Sequence, residues 1–219
     1  MKYERFFIIL IITLIVVLAQ CSKSWAQPNY IYVDQIGSNN TVEINQDGSG
    51  HVAGVATGGY LPTNSNDLKT GYNIGTQPYL GTVTSDFNSV NITQQGAGSK
   101  TATVEIPNGS YNNITTFQDG TGNHTAAVQN LQGNSNNISI FQDGGGNHSM
   151  NIVGGTGTTN SNNAINTTQT GSGDKSFTLN LNGTNGAQVT VQQTNPTTPN
   201  SGSMSIQCTT CGTYNYTRQ

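Results

Sequence analysis

A tandem repeat anchored on glutamine constrains this chain more than any other feature of its 219 residues. The pattern Asn-x-Val/Ile-x-Ile/Thr-x-Gln-x-Gly-x-Gly recurs with successive glutamines 48, 24, 24, 27 and 24 residues apart. The anchors are Gln46, Gln94, Gln118, Gln142, Gln169 and Gln193, the last in a copy that keeps only part of the pattern. Because 48 is twice 24, residues 64–70 are expected to hide a degenerate copy, and the 27 fits a three-residue loop insertion near residues 154–160. Periods of this size are typical of stacked repeat architectures.

Each copy contains two strand-like halves. In the first half, Asn, Val or Ile, Ile or Thr, and Gln occupy alternate positions and therefore share one face of a strand. The second half alternates again, as in Lys175-x-Phe177-x-Leu179-x-Leu181, and a turn rich in Gly, Asn and Ser follows. Strand, turn, strand and turn in about 24 residues predict an all-β fold, a β-solenoid whose amyloid-like rungs stack at roughly the 4.7–4.9 Å strand spacing.

A Gly-x-Gly pair separates the two halves of each copy. Glycine adopts positive φ readily, which suits a chain reversal. The predicted turn glycines are Gly48, Gly50, Gly96, Gly98, Gly120, Gly122, Gly144, Gly146, Gly171 and Gly173. The fixed place of these pairs predicts that every rung turns at the same corner.

Stacking places like residues above like, and this has a chemical consequence for the amides. Each Gln of the column can donate to one neighbouring rung and accept from the other, so a buried Gln is satisfied only if every rung has one. A second predicted column begins the first strands and comprises Asn40, Asn88, Asn112, Asn136 and Asn163. Both columns are predicted to be structural amide ladders.

Hydrophobicity indicates which face of the second strand turns inward. The residues expected to face inward are Ala126, Val128, Met150, Ile152, Phe177 and Leu179. Leaving a large apolar side chain such as Phe177 in water costs about 1.5–3 kcal/mol. A one-residue shift in the turn would reverse the faces of the whole strand.

The first residues predict export. Lys2 and Arg5 precede an apolar run that ends before Ser24-Trp25-Ala26, which is the arrangement of a secretory signal peptide over residues 1–26. Cys21 admits a lipoprotein alternative, although the Gln20 beside it fits that motif poorly. From residue 27 onward, four basic and nine acidic residues give a net charge of −5 with no basic cluster. We therefore expect no nucleic-acid partner, because phosphate binding needs clustered Lys or Arg.

Few residues suggest site chemistry. Lys100, His124, His148 and Lys175 are predicted to form a basic column on the surface beside the Gly-x-Gly turn, whose histidines would gain charge near pH 6, repel each other and slow assembly. A metal held by the two histidines is the less favoured alternative. Cys208 and Cys211 have the spacing of a redox motif without a βαβ context, so a local disulfide is favoured. No catalytic residue, cofactor site or metal site is assigned.

These features divide the chain into five segments. They are the signal peptide (1–26), an N-terminal segment with the first repeat (27–51), an irregular or degenerate repeat (52–87), the main repeats (88–193) and a C-terminal tail with the Cys-x-x-Cys motif (194–219).

The repeat resembles that of the curlin family, the subunits of curli fibres. The family pattern, Gln-x-Gly-x-x-Asn with a second Gln, is present as Gln35-Ile-Gly37-Ser-Asn39-Asn40 with Gln46, and as Gln118-Asp-Gly120-Thr-Gly122-Asn123 with Gln129. Other copies keep only part of it, with Glu105, Val153 and Asn180 at the second position. The resemblance covers roughly residues 30 to 193. By analogy with the family, Asn123, Thr125, Ala127 and Gln129 would face inward, against the hydrophobic pattern.

The resemblance implies a secreted functional amyloid that forms adhesion and biofilm fibres outside the cell. The implied partners are further copies of the chain, a related fibre subunit and outer-membrane secretion machinery. Head-to-tail stacking is expected because solenoid ends expose unpaired backbone groups and no capping helix is evident. Two alternatives are a monomeric surface adhesin or ice-binding solenoid, which needs a regular outward Thr column, and a β-helical polysaccharide-cleaving enzyme, which needs a groove. The outward positions vary (Glu43, Asn91, Thr115, Ser139).

Overall fold

The computed structural model describes residues 27–35, 37–57, 85–129, 132–154 and 159–219. The predicted signal peptide (1–26) and the predicted hidden repeat (64–70) lie outside these residues. Within them the chain forms β-strands and turns, and no helix has the length and apolar character needed to span a membrane.

Fourteen strands follow one another along the described residues. They are β1 (Tyr30–Gln35), β2 (Thr41–Gly48), β3 (Val52–Thr57), β4 (Ser89–Gly96), β5 (Lys100–Ile106), β6 (Asn113–Gln118), β7 (His124–Gln129), β8 (Asn137–Asp143), β9 (His148–Gly154), β10 (Ala164–Thr170), β11 (Lys175–Leu181), β12 (Gln188–Gln193), β13 (Asn200–Ile206) and β14 (Thr213–Arg218). The Gln-anchored half of each repeat supplies an even-numbered strand, and the half after the glycines supplies an odd-numbered one.

The strands form two parallel sheets. Sheet A has the order β1-β3-β5-β7-β9-β11-β13, and sheet B has the order β14-β12-β10-β8-β6-β4-β2. Each even strand and the odd strand after it make one rung, and every rung lies on the previous one in register, as where Gln94 pairs with Gln118 and Gln118 with Gln142. The prediction of an all-β solenoid is confirmed.

The irregular segment is shorter than predicted. Residues 52–57 form β3, the second strand of the first rung, which pairs with β5. Strand β2 pairs directly with β4 across 48 positions, as where Gln46 meets Gln94. Strands β2 and β4 are therefore neighbours in sheet B, while the predicted copy at residues 64–70 lies outside the described residues. The spacing of 48 residues equals two periods of the sequence repeat, but it corresponds to one rung of the stack.

The C-terminal segment was predicted as a tail, but it continues the solenoid. Strand β13 pairs with β11, and β14 pairs with β12. Their glutamine-free sequences hide this, because Asn200 follows Lys175 in one column and Arg218 follows Gln193 in the other. The solenoid thus extends about one rung beyond the last recognisable repeat.

The core lies between the two sheets. Ala126, Val128, Met150, Ile152, Phe177 and Leu179 are all at most 1% exposed, so the inward face predicted from hydrophobicity is confirmed. The family analogy is wrong for this strand, because Asn123, Thr125 and Gln129 are exposed. Ala127 is buried, but it lies on the same face as these three. The apolar side chains set the register here, since their burial outweighs any gain from turning amides inward.

Candidate functional site

The buried glutamines form a continuous ladder along sheet B. The Gln94 Nε2 donates to Gln118 Oε1 at 2.9 Å, and the Gln118 Nε2 donates to Gln142 Oε1 at 2.8 Å. The same pattern joins Gln46 to Gln94, Gln142 to Gln169 and Gln169 to Gln193. Each Nε2 also donates across the core to a carbonyl of sheet A, as from Gln118 to Thr101. Every donor points toward the C-terminal neighbour, so the ladder has a direction.

The asparagines form a second ladder at the opposite corner. The Asn112 side-chain oxygen accepts from the backbone N–H of Asn136 at 3.0 Å and from its Nδ2 at 2.9 Å. The same bonds join the other members, from Asn40 through Asn88, Asn112 and Asn136 to Asn163. The ladder ends where the Ala187 N–H donates to Asn163. These bonds satisfy backbone and side-chain donors at a corner where the β ladder is interrupted.

The basic column is buried, so the prediction of surface residues is wrong. Lys100, His124, His148 and Lys175 are at most 1% exposed, and His51 belongs to the same column. Strand alternation explains this, because Lys175 is two residues before the inward Phe177. The Lys100 Nζ donates to the carbonyls of Gly98, Gly120 and Gly122 at 2.9–3.0 Å, which uses all three N–H bonds of an ammonium group.

The buried histidines are neutral. The carbonyls of Asp119 and Asp143 can only accept, so the Nε2 atoms of His124 and His148 carry the proton and donate to them. The pKa of His124 is lowered to about 4, mainly by burial, and the nearby charges of His148 and Lys100 contribute in the same direction. Burial also lowers the pKa values of His148 and His51. The expected charging of these histidines near pH 6 is therefore wrong for the folded rung.

The two glycines of the Gly-x-Gly turn serve different purposes in the turns after the first, whereas Gly48 and Gly50 of the first turn both have positive φ. Gly120 has φ of +91°, the left-handed conformation that was predicted for the turn. The φ of Gly122 is not in that region, but a Cβ on Gly122 would collide with the carbonyl oxygen of Gly146 in the next rung. Close stacking, and not backbone twist, thus requires the second glycine. Both glycines also offer the carbonyls that bind Lys100.

The sequence reasoning missed the chemistry of the other corner. The residue before each ladder Asn has positive φ, although none of these residues is glycine in the first five rungs: Asn39, Phe87, Tyr111, Ser135 and Asn162 have φ of 55–61°. Phe87 and Tyr111 are exposed and stack with ring centroids 5.0 Å apart. A signal was present, because a Gly lies three residues before Asn40, Asn112 and Asn136.

Cys208 and Cys211 form a disulfide in the loop between β13 and β14, with their Cα atoms 5.4 Å apart. The loop stacks on the preceding corner, where Cys211 N–H donates to the Asn185 carbonyl at 2.9 Å. His124 and His148 stack with ring centroids 4.8 Å apart. The described residues contain no group of three or more His, Cys, Asp or Glu that could hold a metal ion.

The outer edges of both sheets are open in the described part of the chain. Strands β1 and β13 end sheet A, and strands β2 and β14 end sheet B. The backbone pairing of each sheet is continuous up to these edges. The comparisons with known proteins give no further guide, since no protein-family model, no curated protein and no solved structure matches this chain.

Proposed function

We propose that this chain is the structural subunit of an extracellular, amyloid-like fibre that grows by end-to-end stacking of β-solenoids. The observation that carries the proposal is the open edges. Each sheet ends at both ends in a strand that has a partner on one side only, among the residues that the structure describes. Such edges bind further strands readily.

The interior supports the same proposal. A solenoid that holds itself together with Gln and Asn ladders satisfies its buried polar groups through neighbouring rungs, so its end rungs favour a further copy that supplies the missing partners. The low charge matters too, because stacking identical rungs stacks identical charges, and only 8% of the residues are charged. Repulsion between neighbouring rungs is thereby kept small.

The resemblance to the curlin repeat supports the biological setting. It suggests that the chain is exported, that the fibre serves cell adhesion and biofilm formation, and that its partners are further copies, a related subunit and outer-membrane secretion machinery. The role is structural and not catalytic in this proposal. The resemblance stands on Gln35, Gly37, Asn40 and Gln46 and on the later copies of that pattern.

A seeding experiment tests the proposal. Residues 27–219 would be diluted from denaturant into buffer, and thioflavin fluorescence would be followed with and without sonicated product. We expect a lag that seeds remove, and a 4.7–4.8 Å cross-β reflection from the product. A soluble β-rich monomer that never seeds would overturn the fibre and leave the monomeric adhesin-type solenoid as the better explanation.

A further inference from the structure

The two ends of the solenoid each finish in half a rung. At the N-terminal end, β1 extends sheet A beyond the first complete rung, and no described strand lies beside it in sheet B. At the C-terminal end, β14 extends sheet B beyond the last complete rung, and no described strand lies beside it in sheet A. The two ends are therefore stepped in opposite senses.

We propose that the half rungs of two copies join into one composite rung. Strand β14 of one copy would pair with β2 of the next, while β1 of the next copy would pair with β13 of the first. Strands β14 and β1 would then face each other as the two halves of a rung built from two chains. This inference rests on the proposed function, and it names the partner surface as a second copy of this chain in a fixed register.

The column pattern gives that register. Gln193 pairs with Arg218 inside the chain, and continuing the column places Arg218 against Gln46 of the next copy. In sheet A, Ile31 belongs to the column of Ala53, and Gly202 belongs to the column of Phe177. Because Ala53 and Phe177 belong to one column through β5, β7 and β9, Gly202 would lie against Ile31 of the next copy.

The apolar groups of the half rungs fit this arrangement. Ile31 and Val33 occupy core columns beside Ala53 and Val55, which are fully buried, yet they are 56% and 45% exposed because no described strand faces them. Burying such side chains is the main driving force for association. In the composite rung they would face the inward side chains of β14.

The C-terminal end leaves room for them. The Tyr216 ring leans toward the previous rung, where it packs on Phe177 at 4.7 Å between centroids and donates to the Ser201 carbonyl at 3.1 Å. It occupies the space above Gly202, where a Cβ would lie 2.5 Å from the tyrosine hydroxyl oxygen. The level of β14 itself is thus left free for Ile31 of the next copy.

The polar groups specify the direction of stacking. Because every ladder Nε2 donates toward the C-terminal side, the first glutamine of the ladder lacks a donor, and Gln46 Oε1 is buried with no hydrogen-bond partner. The residue that continues the column beyond Gln193 is Arg218, whose guanidinium only donates. Head-to-tail stacking brings this donor to that acceptor, whereas head-to-head stacking would bring two copies of Gln46 together.

The charges of the two ends are also complementary. Strands β1 and β2 carry Asp34, Glu43 and Asp47 and no basic residue. Strands β13 and β14 carry Arg218 and no carboxylate. Opposite charges on facing edges favour this pairing and disfavour stacking of two N-terminal ends.

Cross-linking tests the register. Asn45 and Thr217 are outward-facing residues that the composite rung places side by side, at the roughly 4.8 Å spacing of neighbouring strands, which a disulfide can bridge. Fibres of untagged residues 27–219 carrying Asn45→Cys and Thr217→Cys would be oxidised and dissolved without reductant. We expect a ladder of covalent multimers. The mismatched pair Glu43→Cys with Thr217→Cys, two residues out of register, is the matched control and should give little product.

The outcomes separate the two proposals. Fibres that yield no ladder, or equal ladders from both pairs, would overturn the composite rung and leave the fibre standing. Covalent dimers from Asn45→Cys alone would show head-to-head contacts and overturn it as well. A chain that forms no seedable fibre would overturn both proposals.

Arg218 provides a second test. Arg218→Ala removes the donor to Gln46 and should raise the monomer concentration left at equilibrium with fibres by about tenfold or more. Arg218→Gln continues the amide ladder and should recover most of that loss. Equal monomer concentrations for wild type, Arg218→Ala and Arg218→Gln, in fibres that do form, would overturn the role given to Arg218.

Discussion

The interior rungs and the two ends of the solenoid are built from the same repeat. They differ in how fully their amides are hydrogen-bonded and their apolar side chains are buried. In the interior, Gln118 donates to one neighbour and accepts from the other, and Ile114 is fully buried. At the N-terminal end, Gln46 has an acceptor without a donor, and Ile31 is 56% exposed. The difference shows that a rung is stable through its neighbours and not by itself. The ends of the stack are consequently the parts of the molecule that can bind a further copy.

The two ends also differ from each other. The N-terminal half rung keeps the ordinary pattern of apolar residues and lacks only neighbours. The C-terminal half rung replaces the Gln anchor by Arg218 and covers Gly202 with Tyr216. The N-terminal end thus presents a hydrogen-bond acceptor and apolar side chains. The C-terminal end presents a hydrogen-bond donor and the open space at the level of β14. Substitutions that compare interior positions with terminal ones test this division.

The largest contrast is expected between Gly122→Ala and Gly212→Ala. A Cβ at Gly122 would collide with the backbone of the next rung, so we expect the free energy of unfolding to fall by about 3–5 kcal/mol. A Cβ at Gly212 would have no atom within 4 Å, so its substitution should change stability by less than about 0.5 kcal/mol. Guanidinium unfolding of the dilute monomer measures both. Equal losses would mean that rung spacing does not limit residue size at the corner.

A smaller contrast is expected between Gln118→Ala and Gln46→Ala. Removing Gln118 leaves the Nε2 of Gln94 and the Oε1 of Gln142 without their bonds in the core, at a cost of about 2–4 kcal/mol. Gln46 bonds to one side of the ladder only, so Gln46→Ala should cost about 1 kcal/mol. The same unfolding curves measure the difference, and a terminal loss as large as the interior one would contradict it. Gln46→Ala should nevertheless slow seeded growth.

The sequence predicts the fold well because its signals are repeated. Period-two alternation, Gly-x-Gly turns and the Gln column recur at fixed spacing, so errors at one copy are corrected by the others. The burial of the basic column could also have been predicted from the sequence, since alternation places Lys100 and His124 on the same strand face as Ala102 and Ala126. It was missed because charged residues are usually exposed. Only the three-carbonyl cage around Lys100 makes its burial possible.

The unrepeated parts could not be predicted in the same way. The 48 residues from Gln46 to Gln94 look like two periods in the sequence, because only the pairing of β2 with β4 shows that they correspond to one step of the stack. Strand β14 has Arg218 in place of the anchor glutamine, so the periodic signal does not identify the last half rung. The half rungs at the two ends arise because the stack begins with a strand of sheet A and ends with a strand of sheet B. Counting complete repeats in the sequence cannot reveal these half rungs.

The next effect concerns pH, and it arises from the buried histidines. The folded pKa of His124, at about 4, lies below the unfolded value of 6.5, so the unfolded chain binds more protons between these values. The stability contributed by neutral His124 is present above pH 6.5 and is lost as the pH falls toward 4. His148 shifts in the same direction. We expect about 2 kcal/mol of lost stability between pH 7 and pH 5 from His124.

The pH measurement needs a control because other charged groups lie nearby. Lys100, Lys175, Asp119 and Asp174 all act on these histidines. Unfolding curves of wild type and of His124→Gln with His148→Gln should therefore be compared at each pH, and the wild type should lose stability relative to the double variant steadily as the pH falls below 6.5. Parallel curves would mean that the histidines are not held neutral in the folded rung.

The smallest effect is expected at the asparagine corner, where Ser135 and Gly186 occupy equivalent places in different rungs. Ser135 has φ of 60° and Gly186 has φ of 79°, a region that costs a non-glycine residue about 1–2 kcal/mol. Because Ser135 is exposed, Ser135→Gly should relieve this strain while losing little packing, and we expect a net gain of up to about 1 kcal/mol after the entropy of glycine is counted. Gly186→Ser, the reverse change toward the end of the stack, should lose a similar amount in the same unfolding assay. If Ser135→Gly also loses stability, a contact made by the serine outweighs the strain of its positive φ. If Gly186→Ser loses none, the positive φ of this corner is not a source of strain.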